Sequence, residues 1–184
     1  HPSLNLSGFV NKFDCAGNLL WHKRIRPPYD MVLSKASNKL YIAAETELLS
    51  VTSSGDTSLL FHTSGSGIHD IAVDNNDNIY ALNSGNVAQY APGYSMHADT
   101  NYIAKHDSSG AIIYFKSISK RISGGGLLSD NPYLNIDNSG HIYIAGTTVI
   151  YGSFILAGGD TINPNANSSE GFILKFDSLG NHIW

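Results

Sequence analysis

Short runs of alternating apolar and polar residues, separated by turns rich in Asp, Asn and Gly, cover most of the chain. In "FVNKFD", Phe9, Asn11 and Phe13 fall on one face of an extended segment and Val10 and Lys12 on the other, the period of two that marks a strand. Phe172, Leu174 and Phe176 repeat that face, as do Tyr102, Ala104 and His106.

These runs assemble into two phrases that alternate along the chain. The first is a strand, Asp-x-x-Gly, and a second strand: "FVNKFDCAGNLLWHKRI" from Phe9, "YIAKHDSSGAIIYFKSI" from Tyr102 and "FILKFDSLGNHIW" from Phe172. "LLSVTSSGDTSLLF" from Leu48 is a degraded copy that lacks the Lys, the turn Asp and the aromatic. The second phrase is a strand, an Asp/Asn-rich turn and a strand ending near Ile-Tyr: "HDIAVDNNDNIYAL" from His69, "YLNIDNSGHIYIAG" from Tyr133 and, more weakly, "MVLSKASNKLYIAA" from Met31. In the first phrase the Asp side chain caps a tight turn and the glycine takes the positive-φ position that closes it. Trp21, Tyr114 and Trp184 each lie four residues after that glycine, which predicts an aromatic wedge filling one repeated niche between neighbouring sheets.

Spacing separates a regular core from variable loops. Gly17 to Tyr41 is 24 residues and Gly55 to Tyr80 is 25, whereas Tyr41 to Gly55, Tyr80 to Gly110 and Tyr143 to Gly180 are 14, 30 and 37. Self-similarity of roughly 40–50 residues with four strands per unit predicts an all-β chain of four-stranded antiparallel β-propeller blades. Gly8–Trp21 and Gly171–Trp184 are identical at eight of fourteen positions, so the chain opens and closes on the same phrase. Residues 8–25 then form an outer half-blade, and blades follow over about 30–64, 68–119 and 130–184. Three and a half blades fall short of a ring of roughly six to eight. The expectation is therefore a single propeller segment, 1–184, of a larger ring whose remaining blades come from the same or a partner chain. A closed four-bladed ring is the rival arrangement.

Lys12, Phe13, Asp14, Gly17, Asn18 and Trp21, with Lys175, Phe176, Asp177, Gly180, Asn181 and Trp184, match a repeat of the form K-F/L-D-x-x-G-N-x-x-W. Asp137, Gly140, Ile142, Tyr143 and Gly146, and Asp74, Asn78, Ile79 and Tyr80, match its companion D-x-x-G-N-I-Y-x-x-G. The chain thus resembles the bacterial SBBP-type β-propeller repeats. That resemblance implies a secreted or cell-surface protein of Bacteroidota-like bacteria, exported by type IX secretion, and an extra hairpin within "YGSFILAGGDTINPNANSSEGFILKFD". Asp160-Thr161-Ile162 and Asp177-Ser178-Leu179 are similar to the short O-glycosylation motif of such bacteria, which makes Thr161 and Ser178 candidate acceptors.

Composition narrows the function classes. Only 14% of residues are charged, and 18 glycines and 10 tyrosines favour strands and turns over helices. A net charge of −4 with no basic run leaves no nucleic-acid footprint. No apolar stretch reaches the roughly 18 residues of a membrane span. The lone Cys15, in a predicted turn, gives neither an internal disulfide nor a multi-cysteine metal site.

The eight histidines form no metal-binding pair such as H-x-H or H-E-x-x-H, and "DNNDN" and "DNSG" lack the spacing of a calcium loop. No catalytic residue, metal or cofactor is expected. The insertion "NVAQYAPGYSMHADTNY" gathers Tyr90, Tyr94, His97 and Tyr102, candidate binding residues on a loop carried by a rigid scaffold. The alternative is an insertion that packs on its own blade. The leading expectation is a noncatalytic scaffold or binding module that contacts protein or glycan through its loops. Against it stands a propeller enzyme, lyase-like or quinoprotein-like, which needs titratable groups converging at the central mouth; the sequence shows none. A structural filler is the third reading.

Overall fold

A computed structural model describes residues 8–63, 67–85, 89–95, 100–124, 132–147, 152–156, 159, 161–162 and 171–184. Strands β1 (Gly8–Phe13) and β2 (Leu19–Ile25) form an antiparallel hairpin. A four-stranded antiparallel sheet follows, made of β3 (Pro28–Leu33), β4 (Leu40–Ala44), β5 (Glu47–Val51) and β6 (Thr57–His62) in sequence order. The next begins with β7 (Ile68–Val73) and β8 (Ile79–Gly85). A small hairpin, β9 (Gln89–Ala91) and β10 (Tyr94–Ser95), intervenes before β11 (Thr100–His106) and β12 (Ile112–Gly124) complete that sheet's four strands. The last sheet holds β13 (Tyr133–Ile136), β14 (Ile142–Thr147) and β17 (Gly171–Phe176). Its fourth strand is begun by the bridge from Phe176 to His182. Between β14 and β17 the chain leaves its own sheet: β15 (Gly152–Leu156) pairs with β12 of the preceding blade and carries β16 (Thr161–Ile162).

The described chain is all-β and its sheets are the blades of a β-propeller: an outer hairpin, two four-stranded blades and a fourth blade with three strands and part of another. Blades stack face to face, so the middle strands are buried on both sides. That is why "LYIAA" and "IYAL" read as continuous apolar runs without polar alternation. Tyr41 and Ala43 pack with Ile68, Ile71, Ile79 and Ala81 of the third blade, while Ile42 and Ala44 pack with Val10 and Ile25 of the first. Tyr80, Leu82 and Ile103 pack with Leu134, Ile142, Ile144, Leu174 and Phe176 of the fourth.

The five acidic turns share one construction. Asp14 accepts the backbone N–H groups of Ala16 and Asn18 at 2.9 and 2.8 Å and the Asn18 side chain at 2.9 Å, and Gly17 closes the turn at φ 84°. Asn18 thereby holds the Asp14 carboxyl below its usual range, as Ser109 does for Asp107 and Asn181 for Asp177. At Asp137 burial pulls the other way, yet the backbone and ring donors of His141 bring the carboxyl down to about 2.

The predicted wedge position is occupied between blades. The Trp21 ring lies on Gly55 of the second blade, and Tyr114 lies on Gly180 of the fourth. A register shift after Lys12 and another after Lys105 give each wedge strand an extra residue and turn the aromatic toward the neighbour. In the degraded copy the shift falls later, between Leu48 and Leu49, and the Leu60 backbone itself approaches Gly110.

Candidate functional site

The innermost strands β3, β7 and β13 lie side by side, β7 between the other two. Two of them carry the same irregularity. Pro28 pairs with Ala44 and Asp30 with Ala43, so Tyr29 is extra; Ile68 pairs with Asn83 and Asp70 with Leu82, so His69 is extra. Each bulge turns the following aspartate toward the next blade. The two extra residues meet, with the Tyr29 and His69 rings stacked at 6.4 Å and 29°.

The aspartates tie successive blades together. The Asp30 carboxylate accepts the Ile71 N–H at 3.0 Å, and Asp70 accepts the Leu134 N–H at 2.5 Å. Asp70 also takes a second bond from the Ile71 N–H at 3.0 Å, which brings the two carboxyl groups together at one amide. Burial pushes the Asp70 carboxyl up to about 7, and the hydrogen bond and negative charge of Asp30 push in the same direction. Near neutral pH the Asp70 carboxyl is therefore partly protonated. On β13 the equivalent position is Tyr133, whose ring is exposed.

A carboxylic acid beside a carboxylate can give or take a proton at neutral pH. Here, however, both groups are spent on backbone amides, and their immediate role is a staple across strands that share no ladder. Among the described residues, no group of three or more His, Cys, Asp or Glu is placed to hold a metal ion.

This pair is not evident from local spacing, because its members sit 40 residues apart at the start of two repeat phrases. Alignment on Tyr41, Tyr80 and Tyr143 supplies the signal: Asp30, Asp70 and Tyr133 then fall 11, 10 and 10 residues upstream.

The aromatic insertion is placed differently. Tyr90 is fully buried and Tyr102 nearly so, and both stack on Phe115 at 4.6 and 4.7 Å. Tyr90 also stacks on Phe61 of the second blade at 4.9 Å, and its hydroxyl meets His106 Nε2 at 3.0 Å. The His106 Nδ1 lies 3.0 Å from the Gly110 carbonyl, and burial holds the ring neutral by lowering its pKa. Nδ1–H therefore donates to that carbonyl and Nε2 accepts from Tyr90. Tyr94 is half-buried with its ring edge-on to Phe115 at 5.9 Å, and His97 lies outside the described residues. The three tyrosines of this candidate set pack with Phe115 of the β11–β12 hairpin, two of the three out of reach of solvent.

Of the candidate glycan acceptors, Ser178 is exposed in the turn whose Asp177 caps Leu179 and Asn181. Thr161 lies on β16, and Asp160 before it lies outside the described residues. Cys15 is exposed in its turn.

No protein-family profile matches the sequence. No curated protein matches it either. Among solved structures, a protein of unknown function from Bacteroides caccae aligns with a TM-score of 0.44 at 8% identity, over 92% of this chain and 85% of that one. The Dos1 propeller aligns with a TM-score of 0.45 at 12% identity, over 97% of this chain and 65% of that one, so the chain spans less than two thirds of its length.

Proposed function

We propose that the chain is a noncatalytic β-propeller scaffold and binding module of a larger secreted or cell-surface bacterial protein, with SBBP-like repeats and loops that contact protein or glycan. The supporting observation is how its acidic groups are used. Asp14, Asp107, Asp137 and Asp177 are committed to turns, and Asp30 and Asp70 to the amides of the next blade. The polar chemistry holds blades together and leaves variation to the insertions.

The test is brief protease treatment of intact source cells, followed by the mass of the undigested parent. Peptides of this chain released from the surface, from a parent above 19.8 kDa with further Asp-x-x-Gly-Asn repeats, support the reading. Recovery only from the cytosol at 19.8 kDa overturns it.

One observation favours a second reading, a propeller enzyme completed by other blades: the convergence of the Asp30 and Asp70 carboxyl groups on the Ile71 amide. The two separate at Asp70→Asn, which in a scaffold alters stability and its pH dependence and no turnover.

A further inference from the structure

The inner turns of the second, third and fourth blades are built alike. Ser34, Asp74 and Asp137 open them, each accepting two backbone N–H groups at one side-chain oxygen. Asn38, Asp77 and Gly140 close them at φ 55°, 61° and 80°. In the third and fourth blades the Tyr80 and Tyr143 hydroxyls donate to Asp74 and Asp137 at 3.2 Å. Lys105 and Lys175 stand opposite those tyrosines in the ladder and place Nζ 4.7 and 5.2 Å from the ring centroids. Lys105 also lies 3.6 Å from Asp74. Each of these niches thus combines a tyrosine, a carboxylate and a cation.

The second blade keeps the tyrosine and obtains its carboxylate by another route. Ser34 stands where its sisters have aspartate, and its hydroxyl donates to Asp77, which reaches across from the third blade. The tethered cation has no counterpart: the residue opposite Tyr41 is Ser50. Among the described residues no ion pair reaches Asp77. Tyr41 is fully buried, and its hydroxyl and Ser37 Oγ have no hydrogen-bond partner among the described residues. Burial first, and then the Asp77 charge, raise the Tyr41 pKa above its usual value, while the neighbouring Ser37 hydroxyl pulls it down. Carboxylate and hydroxyls therefore face one another between the blades. Such oxygens suit a hard cation, and one carboxylate calls for one positive charge.

We propose that this niche between the second and third blades binds a monovalent cation of ammonium size, potassium or ammonium itself, through Asp77, Tyr41 and Ser37. The ion does in the second blade what the Lys105 ammonium does beside Asp74 in the third. Ser50 in place of lysine exchanges a tethered cation for a soluble one. The joint between two blades thereby senses the ionic composition of the medium, whatever the loops contact.

The experiment is urea denaturation of the 184-residue chain in potassium or ammonium chloride against tetramethylammonium chloride, whose cation is too bulky for the niche, at equal ionic strength. A saturable fall in the unfolding constant is expected, about tenfold at ten times the dissociation constant. Asp77→Asn should abolish that response and keep the turn, since an amide oxygen still accepts from Ser34 and asparagine stands at the same φ in Asn38. Tyr41→Phe, neutral or stabilising in tetramethylammonium, should weaken the response. Ser50→Lys restores the lysine of the sister blades, so it should stabilise the chain in tetramethylammonium and remove the response. Equal unfolding constants in the potassium, ammonium and tetramethylammonium salts overturn the proposal and give these polar atoms to water. An equal response in the parent and Asp77→Asn, the mark of a general salt effect, overturns it too. So does a full response in Ser50→Lys, whether or not Asp77→Asn folds.

Discussion

The indole of Trp21 rests on the α-carbon of Gly55 in the neighbouring blade, so closely that a Cβ there would stand 3.0 Å from the ring. Tyr114 holds the same relation to Gly180 at 3.1 Å. The turn glycine therefore has two duties. It adopts a φ that side chains avoid, and it offers a bare surface on which the next blade is seated.

Gly17 and Gly110 separate those duties. Both have positive φ, 84° and 92°, but a Cβ at Gly17 meets nothing within 4 Å, whereas one at Gly110 would lie 2.3 Å from the Leu60 carbonyl oxygen. Gly17→Ala should cost about 1 kcal/mol of backbone strain. Gly110→Ala should cost about 3 kcal/mol or more, because backbone must move. Urea denaturation of the two variants compares them directly, and equal midpoints would refute the close approach.

The pH dependence of stability should have its maximum on the acid side of neutrality. Asp70 binds its proton more tightly folded, at about 7, than unfolded, near 4. Its contribution to stability is therefore full below about pH 4 and is lost as pH rises toward 7. Asp137, held at about 2, acts in the opposite sense: it stabilises above pH 4 and loses that contribution as pH falls toward 2. Thermal melts from pH 3 to 8 should peak between pH 4 and 5.

Asp70→Asn should remove the decline between pH 4 and 7 while keeping the fold. The amide oxygen still accepts from Leu134, the amide nitrogen donates toward Asp30, and the Ile71 N–H keeps Asp30 as its acceptor. A variant that melts with the parent's slope across that window would show that the pair does not carry it.

Two buried tyrosines should respond oppositely to loss of the hydroxyl. The Tyr41 hydroxyl is buried without a hydrogen-bond partner among the described residues, so Tyr41→Phe should be neutral or stabilising by up to about 1 kcal/mol. The Tyr90 hydroxyl satisfies buried His106, so Tyr90→Phe should cost about 1–3 kcal/mol. Equilibrium unfolding of both at pH 7 gives the comparison.

Elements written as local spacing were legible from the chain alone. Asp14 and Gly17 lie three residues apart and make one turn, and Trp21 follows at the distance that clears the sheet face. The carboxyl pair was illegible for the converse reason. Asp30 and Asp70 meet only because two bulges, at Tyr29 and His69, rotate separate strands, and a strict period of two cannot express an extra residue. The β9–β10 insertion is ambiguous in another way. Aromatic content marks a recognition loop and a packed flap equally well. The burial of Tyr90 between Phe61 and Phe115, drawn from two blades, is a tertiary contact that local sequence does not express.

The β15–β16 hairpin, donated by the fourth unit to the edge of the third, sets an order of assembly. During synthesis β12 emerges well before β15, and its outer edge is a bare template for any passing strand until β15 arrives. The outer edge of the third blade thus stays unpaired until part of the fourth unit is made. Vectorial folding from the first residue to the last gives way here to a joint maturation of two units. Slowed translation or truncation between residues 124 and 152 would strand the third blade with its edge unpaired, the interval in which aggregation competes with folding.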